Sequence, residues 1–131
     1  MPSFGTLKAD TLTHSTAGSL ATNFVVEGSA KVHCLWDMAD LSGTGGTTGI
    51  DTSFNVSSMD DDGTGDFGIN FTSSFSSVNY TATSATSSGA RRVLTRSGTV
   101  TASAMDGLTR NDSNSNSDAS GCSVTIHGDL A

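Results

Sequence analysis

The stretch from Thr52 to Thr72 constrains the fold more than any other part of the chain. In its first arm Phe54 and Val56 fall on one side, opposite Asn55 and Ser57. In its second arm Phe67, Ile69 and Phe71 share a side, opposite Asp66, Gly68 and Asn70. A spacing of two is the period of a pleated strand with one buried face. Between the arms lies Asp60-Asp61-Asp62-Gly63-Thr64-Gly65, too polar to bury and supplied with glycines for positive φ. Two alternating runs around such a connector predict a β-hairpin, and its apolar side makes it the expected nucleus of the core.

The same period recurs along the chain. Ala30, Val32, Cys34 and Trp36 occupy one face of a predicted strand, against Lys31, His33 and Leu35. Phe24-Val25-Val26-Glu27-Gly28 reads as a short β-prone run, and Val78, Tyr80 and Ala82 as a further strand followed by a small-residue loop from Thr83 to Gly89. Arg91 to Thr95 reads as an edge strand guarded by Arg91 and Arg92, since charges blunt edge pairing. Val100, Ala102 and Ala104 give another strand, and Cys122, Val124 and Ile126 a closing one. Gly43 to Gly49 is expected to be an exposed, mobile connection, and Asp106 to Ser120 a solvated loop.

Only 34% of the 131 residues are apolar and 15% charged, with 15 glycines among many Ser, Thr and Asn. That composition argues against a helical bundle and suits short strands with many turns. The expected fold is therefore all-β: an antiparallel β-sandwich or open barrel of about seven short strands, residues 24–131, behind an extended N-terminal arm, residues 1–23. The arm carries isolated apolar residues at Phe4, Leu7, Leu12 and Leu20, with at most one edge strand over Thr6 to Leu12.

A net charge of −7 disfavours nucleic acid and anionic membrane surfaces as partners. No apolar run reaches the roughly 18 residues of a membrane span, so no membrane insertion is expected. The start, Met1 to Gly5, lacks the basic and apolar regions of a signal peptide, and synthesis in the cytoplasm is expected.

Several residue sets imitate chemistry. Gly63-Thr64-Gly65-Asp66-Phe67-Gly68 matches the dinucleotide fingerprint, which needs a strand before it and a helix after it. Here a strand follows, so the match reads as a hairpin turn. Asp66-Phe67-Gly68 copies a kinase tripeptide without the catalytic loop or nucleotide lysine of that family. Asp60, Asp61, Asp62 and Asp66 are the densest carboxylates, yet calcium-loop spacing puts Ile69 where a bidentate Glu belongs. His14, His33 and His127 share no metal spacing with Cys34 or Cys122. The two cysteines point toward the expected core, where reduced thiols are favoured over a pair. The sequon Asn70-Phe71-Thr72 arises easily in so Ser/Thr-rich a chain. Trp36 or Tyr80 stacking on a sugar ranks last, because both alternate into the core. Catalytic, cofactor-binding and metal-binding residues are accordingly expected to be none, and the protein to be no enzyme.

Longer runs carry a resemblance. They are Val26-Glu27-Gly28-Ser29-Ala30-Lys31-Val32, Asp51 to Ser58, Asp62 to Thr72, the opening Gly5 to Leu12 and the closing Ser123 to Leu130. Together they resemble a β-rich domain of tail-fibre-like virion proteins from bacteriophages of marine and other aquatic bacteria. The glycine-rich segment Gly43 to Gly49 and the Asn/Ser-rich loop near Asn114 depart from that pattern. The resemblance implies a non-enzymatic virion structural protein without cofactors, in a tail fibre or tail tip with loops for host attachment. The alternative is a capsid decoration protein that cements the head. Expected partners are other copies of the chain, as a homotrimer, other phage structural proteins, and a host surface glycan or protein.

Overall fold

The computed structural model describes residues 9–15, 18–89 and 91–131, with side chains throughout except at residues 14, 23 and 94–98. The part of the expected arm at residues 1–8 lies outside them. Thr11–His14 (β1) and Gly18–Ala21 (β2) pair as a hairpin, and Thr22–Gly28 (α1) follows. The run Phe24 to Gly28, expected to be extended, is thus helical. Its apolar residues Phe24, Val25 and Val26 are consecutive, and a run without alternation does not distinguish strand from helix.

Eight strands then form two sheets. They are Val32–Trp36 (β3), Ile50–Phe54 (β4), Val56–Gly63 (β5), Asp66–Phe71 (β6), Thr81–Thr86 (β7), Arg91–Val100 (β8), Ala104–Asn111 (β9) and Cys122–His127 (β10). One sheet has the order β4-β3-β10-β7 and the other β5-β6-β9-β8, with every pairing antiparallel. The all-β sandwich is present: among the described residues, eight strands lie in its two sheets and the β1–β2 hairpin outside them.

The hairpin expected between Thr52 and Thr72 exists as β5–β6, but its first arm is divided. Asn55 adopts φ 58°, in the left-handed region that asparagine tolerates, and the chain crosses there from one sheet to the other. Its side chain holds the corner, donating to the Ser73 carbonyl at 3.1 Å and accepting from the Ser73 amide at 2.7 Å. Phe54 therefore leaves the core side and is 56% exposed, whereas Val56 packs against the core. The turn is only Thr64 and Gly65, and Asp60, Asp61 and Asp62 belong to β5.

Three other expectations are corrected by register. The strand expected over Val78, Tyr80 and Ala82 lies later, at Thr81–Thr86, and runs into the small-residue loop expected from Thr83 to Gly89. It pairs with β10 at the sheet edge through Thr, Ser and Ala, which carry little hydrophobic signal. Val100, Ala102 and Ala104 span the turn between β8 and β9 and make no strand of their own. Asp106 to Asn111, expected to be loop, is the body of β9, with Met105 and Thr109 fully buried. The edge position of β8 and the alternating faces of β3 and β10 are as expected.

The core lies between the sheets. Trp36 on β3 packs on Phe67 on β6, ring centroids 4.9 Å apart and tilted 55°. Toward the opposite end Phe71, Phe75 and Tyr80 form a second cluster, with Phe75 and Tyr80 stacked at 4.6 Å and Phe71 edge-on to both. Such pairs favour offset and edge-to-face geometries, as found here. Tyr80 Oη donates to the carbonyls of Thr101 and Ala104, so its one polar atom is satisfied.

Candidate functional site

Because consecutive sandwich strands alternate in direction, the connections fall into two groups. At one end lie segments 37–49, 64–65, 87–89 and 112–121. At the other lie Asn55, segments 72–80 and 101–103, residues 128–131 and the entry from α1. The molecule is polarised.

Segment 112–121 is the hub of the first end. Ala119 is buried, and its carbonyl accepts from Met38 N–H at 3.1 Å. Asp118 accepts from Gly65 N–H through Oδ1 at 2.7 Å, and its backbone carbonyl accepts from Arg91 Nε at 3.2 Å. The Ser120 carbonyl accepts from the hydroxyls of Thr86, Ser87 and Ser88. Buried Thr109 donates to the Ser117 carbonyl at 2.7 Å. The Asn/Ser-rich loop is thus stitched to its neighbours, because short polar side chains satisfy backbone groups that a loop leaves unpaired. Segment 43–49 is likewise laid on β5, with Gly46 and Met59 exchanging backbone hydrogen bonds and Gly43 accepting from Asp61.

The two sheets present different outer faces. On β5-β6-β9 the carboxylates Asp60 and Asp106 fold over Gly68, opposite both in register. A Cβ at Gly68 would stand 3.0 Å from Asp60 Oδ2 and 3.5 Å from Asp106 Oδ1, so glycine makes the trough in which they lie. Their oxygens already have tasks. Asp60 accepts from Gly45 N–H and, at 3.0 Å, from Asn70 Nδ2, while Asp106 accepts from Thr99 N–H at 2.8 Å. Desolvation first, and then the like charges of Asp60, Asp66, Asp106 and Asp61, push the Asp62 carboxyl above its ordinary pKa. Among the described residues no group of three His, Cys, Asp or Glu side chains is placed to hold a metal ion.

The outer face of β4-β3-β10-β7 carries no carboxylate, ammonium or guanidinium at its paired outward positions. Phe54, His33, Thr125 and Thr83 form one row, and Thr52, Leu35, Ser123 and Ala85 the next. His127 and Thr81 continue the β10–β7 pairing. His33 and Phe54 stack with centroids 6.0 Å apart.

Comparison of the chain with family models, with curated proteins and with solved structures gives no significant match.

The remaining sequence candidates are dispersed. The Gly63-to-Gly68 run is a turn entering a strand, with no helix N-terminus to meet a phosphate. Trp36 and Tyr80 are 0% and 4% exposed, which removes both from sugar stacking. Cys34 and Cys122 are free, buried thiols. Burial and the nearby Asp51 charge raise Cys34 to about 12. Burial raises Cys122 to about 11, against a lowering by its side-chain hydrogen bond with Thr86. Neither is a nucleophile near neutral pH. The side chain of His14 lies outside the described set.

One grouping had no sequence signal. Arg92 and Arg110, 18 positions apart, stand opposite each other on β8 and β9. Their meeting depends on a register shift in the β8–β9 pairing between Thr95 and Val100, which no spacing rule reveals.

Proposed function

We propose that this chain is a non-enzymatic structural component of a bacteriophage particle, in a tail fibre or tail tip, displaying its stitched loop end toward a host surface. The observation that carries the reading is the polarity of the molecule. One end gathers polar loops tied to one another, and at the other the chain enters from a hairpin and helix that leave Leu12, Leu20, Phe24, Val25 and Val26 exposed. An isolated two-stranded hairpin is marginal in water. A unit of this kind suits anchorage against another protein, while a pre-ordered loop end suits recognition, because ordering costs are met before binding. The sequence resemblance to tail-fibre-like domains supports the same reading.

The partner at the side is a second copy. With a net charge of −7, copies repel wherever carboxylates meet, and the uncharged face around His33 and Thr125 is where they can approach closely. A homotrimer assembled through this face is the arrangement proposed.

The second reading, a capsid decoration protein, draws on the same exposed hairpin and helix, which could lie across neighbouring shell subunits. Gold-labelled antibody on intact particles separates the two. Label at the tail supports the fibre reading, label over the whole head replaces it with the decoration reading, and particles without label refute both.

A further inference from the structure

Three of the chain's six Lys and Arg residues stand at one corner of the loop end. Arg91 and Arg92 open β8, and Arg110 lies directly opposite Arg92 on β9. Like charges directly opposed across an antiparallel pair are unfavourable. In a chain with 13 Asp and Glu residues a carboxylate between them is the obvious remedy. Among the described residues neither guanidinium has one. Instead Arg92 Nη2 and Arg110 Nη1 both donate to a single neutral acceptor, Asn114 Oδ1, the latter at 3.3 Å. Asn114 sits at φ 62°, and its backbone N–H donates to the Asn111 carbonyl at 3.0 Å, so the backbone that carries this side chain is held by its own loop. Arg110 Nε is buried without a hydrogen-bond partner. Buried unpaired donors are rare enough that each calls for an explanation. Two cations on one uncharged oxygen, with an N–H left over, leave both positive charge and donor capacity unsatisfied.

We propose that Arg92, Arg110 and Asn114 form a binding site for an oxyanion, a carboxylate or phosphate group carried on a surface polysaccharide. The guanidinium fork matches both groups in charge and geometry. Its biological role rests on the display reading above, but the binding step does not.

The test uses the full chain at low ionic strength, with shifts of the Arg92, Arg110 and Asn114 N–H signals followed by NMR. Sodium glucuronate, inorganic phosphate and glucose are the probes. Saturable shifts with glucuronate identify a uronic-acid source, and with phosphate a phosphorylated one, while glucose leaves the signals in place. Arg92→Gln and Arg110→Gln should each weaken the tighter anion by about tenfold, as loss of a charge-assisted hydrogen bond does. Arg92 is exposed, so its variant keeps the test open should Arg110→Gln fail to fold. Absence of saturation with both anions, or an Arg92→Gln titration matching wild type, overturns the site. Particle labelling is unaffected by either result, so the two readings fail separately.

Discussion

The ring of Trp36 on β3 lies 4.9 Å from that of Phe67 on β6, and this contact joins the two sheets. Both side chains are 0% exposed, and Trp36 Nε1 donates to Met38 Sδ at 3.2 Å, so the indole is packed and satisfied at once.

Truncation of either ring leaves a cavity that a close-packed interior cannot refill. Trp36→Ala and Phe67→Ala should each cost about 3–5 kcal/mol, measured by urea unfolding. The double mutant should lose less than the sum of the single losses, because each variant already removes the shared contact. Additive losses would show that the sheets are joined elsewhere.

Gly65 has φ 67°, and a Cβ there would stand 2.5 Å from both Ser117 N and Thr109 O. Backbone atoms cannot rotate aside. Gly65→Ala should therefore destabilise by more than the roughly 1 kcal/mol of a strained φ alone, and should loosen segment 112–121. Hydrogen exchange at Ser117 N–H checks the second effect, and unchanged protection there would contradict it.

Asp62 gives a pH signature. Its folded-state pKa is raised, so the folded chain holds the proton more tightly than the unfolded chain does. The resulting stability is fully present below the unfolded pKa and is lost as the pH rises through the folded one. At pH 7 the carboxylate therefore opposes folding, although solvent screens so exposed a group. Asp62→Asn should raise Tm by about 1–2 °C at pH 7, with the gain vanishing below about pH 4. A loss of Tm at pH 7 would reverse the sign of the argument.

Thr125 lies inside the uncharged face, between His33 and Thr83 in register. Native mass spectrometry should find three copies of the wild-type chain together and single copies of Thr125→Asp, with unchanged far-ultraviolet circular dichroism. A wild-type monomer, or a variant that stays assembled, would remove this face from the interface.

How far these features are legible in the sequence depends on what carries the signal. The strands β3, β6 and β10 are readable because large apolar residues alternate with polar ones across a half-buried sheet. β7 is hidden because its Thr, Ser and Ala carry no contrast, although pairing with β10 holds it as firmly as any edge strand. The crossover at Asn55 is hidden because Phe54, Val56 and the polar residues around them keep an unbroken period of two through a point where the backbone turns left-handed. Asp60, Asp61, Asp62 and Asp66 are visible as a cluster, but the bonds of Asp60 to Gly45 and Asn70, and the placing of Asp106 beside it, follow from tertiary register alone. The arginine pair is the extreme case: Asn114 follows Arg110 by four residues, but nothing local brings Arg92 to either of them.

The central claim is that one end of the molecule is anchored and the other displayed. Epitope tags inserted at Ser113, in the loop end, and after Ala131, at the opposite end, test it most directly when antibody binding to intact phage particles is measured. The account predicts strong binding to the tag at Ser113 and little to the tag after Ala131 until the particles are dissociated. A tag after Ala131 that is accessible on intact particles, with the one at Ser113 concealed, would contradict it.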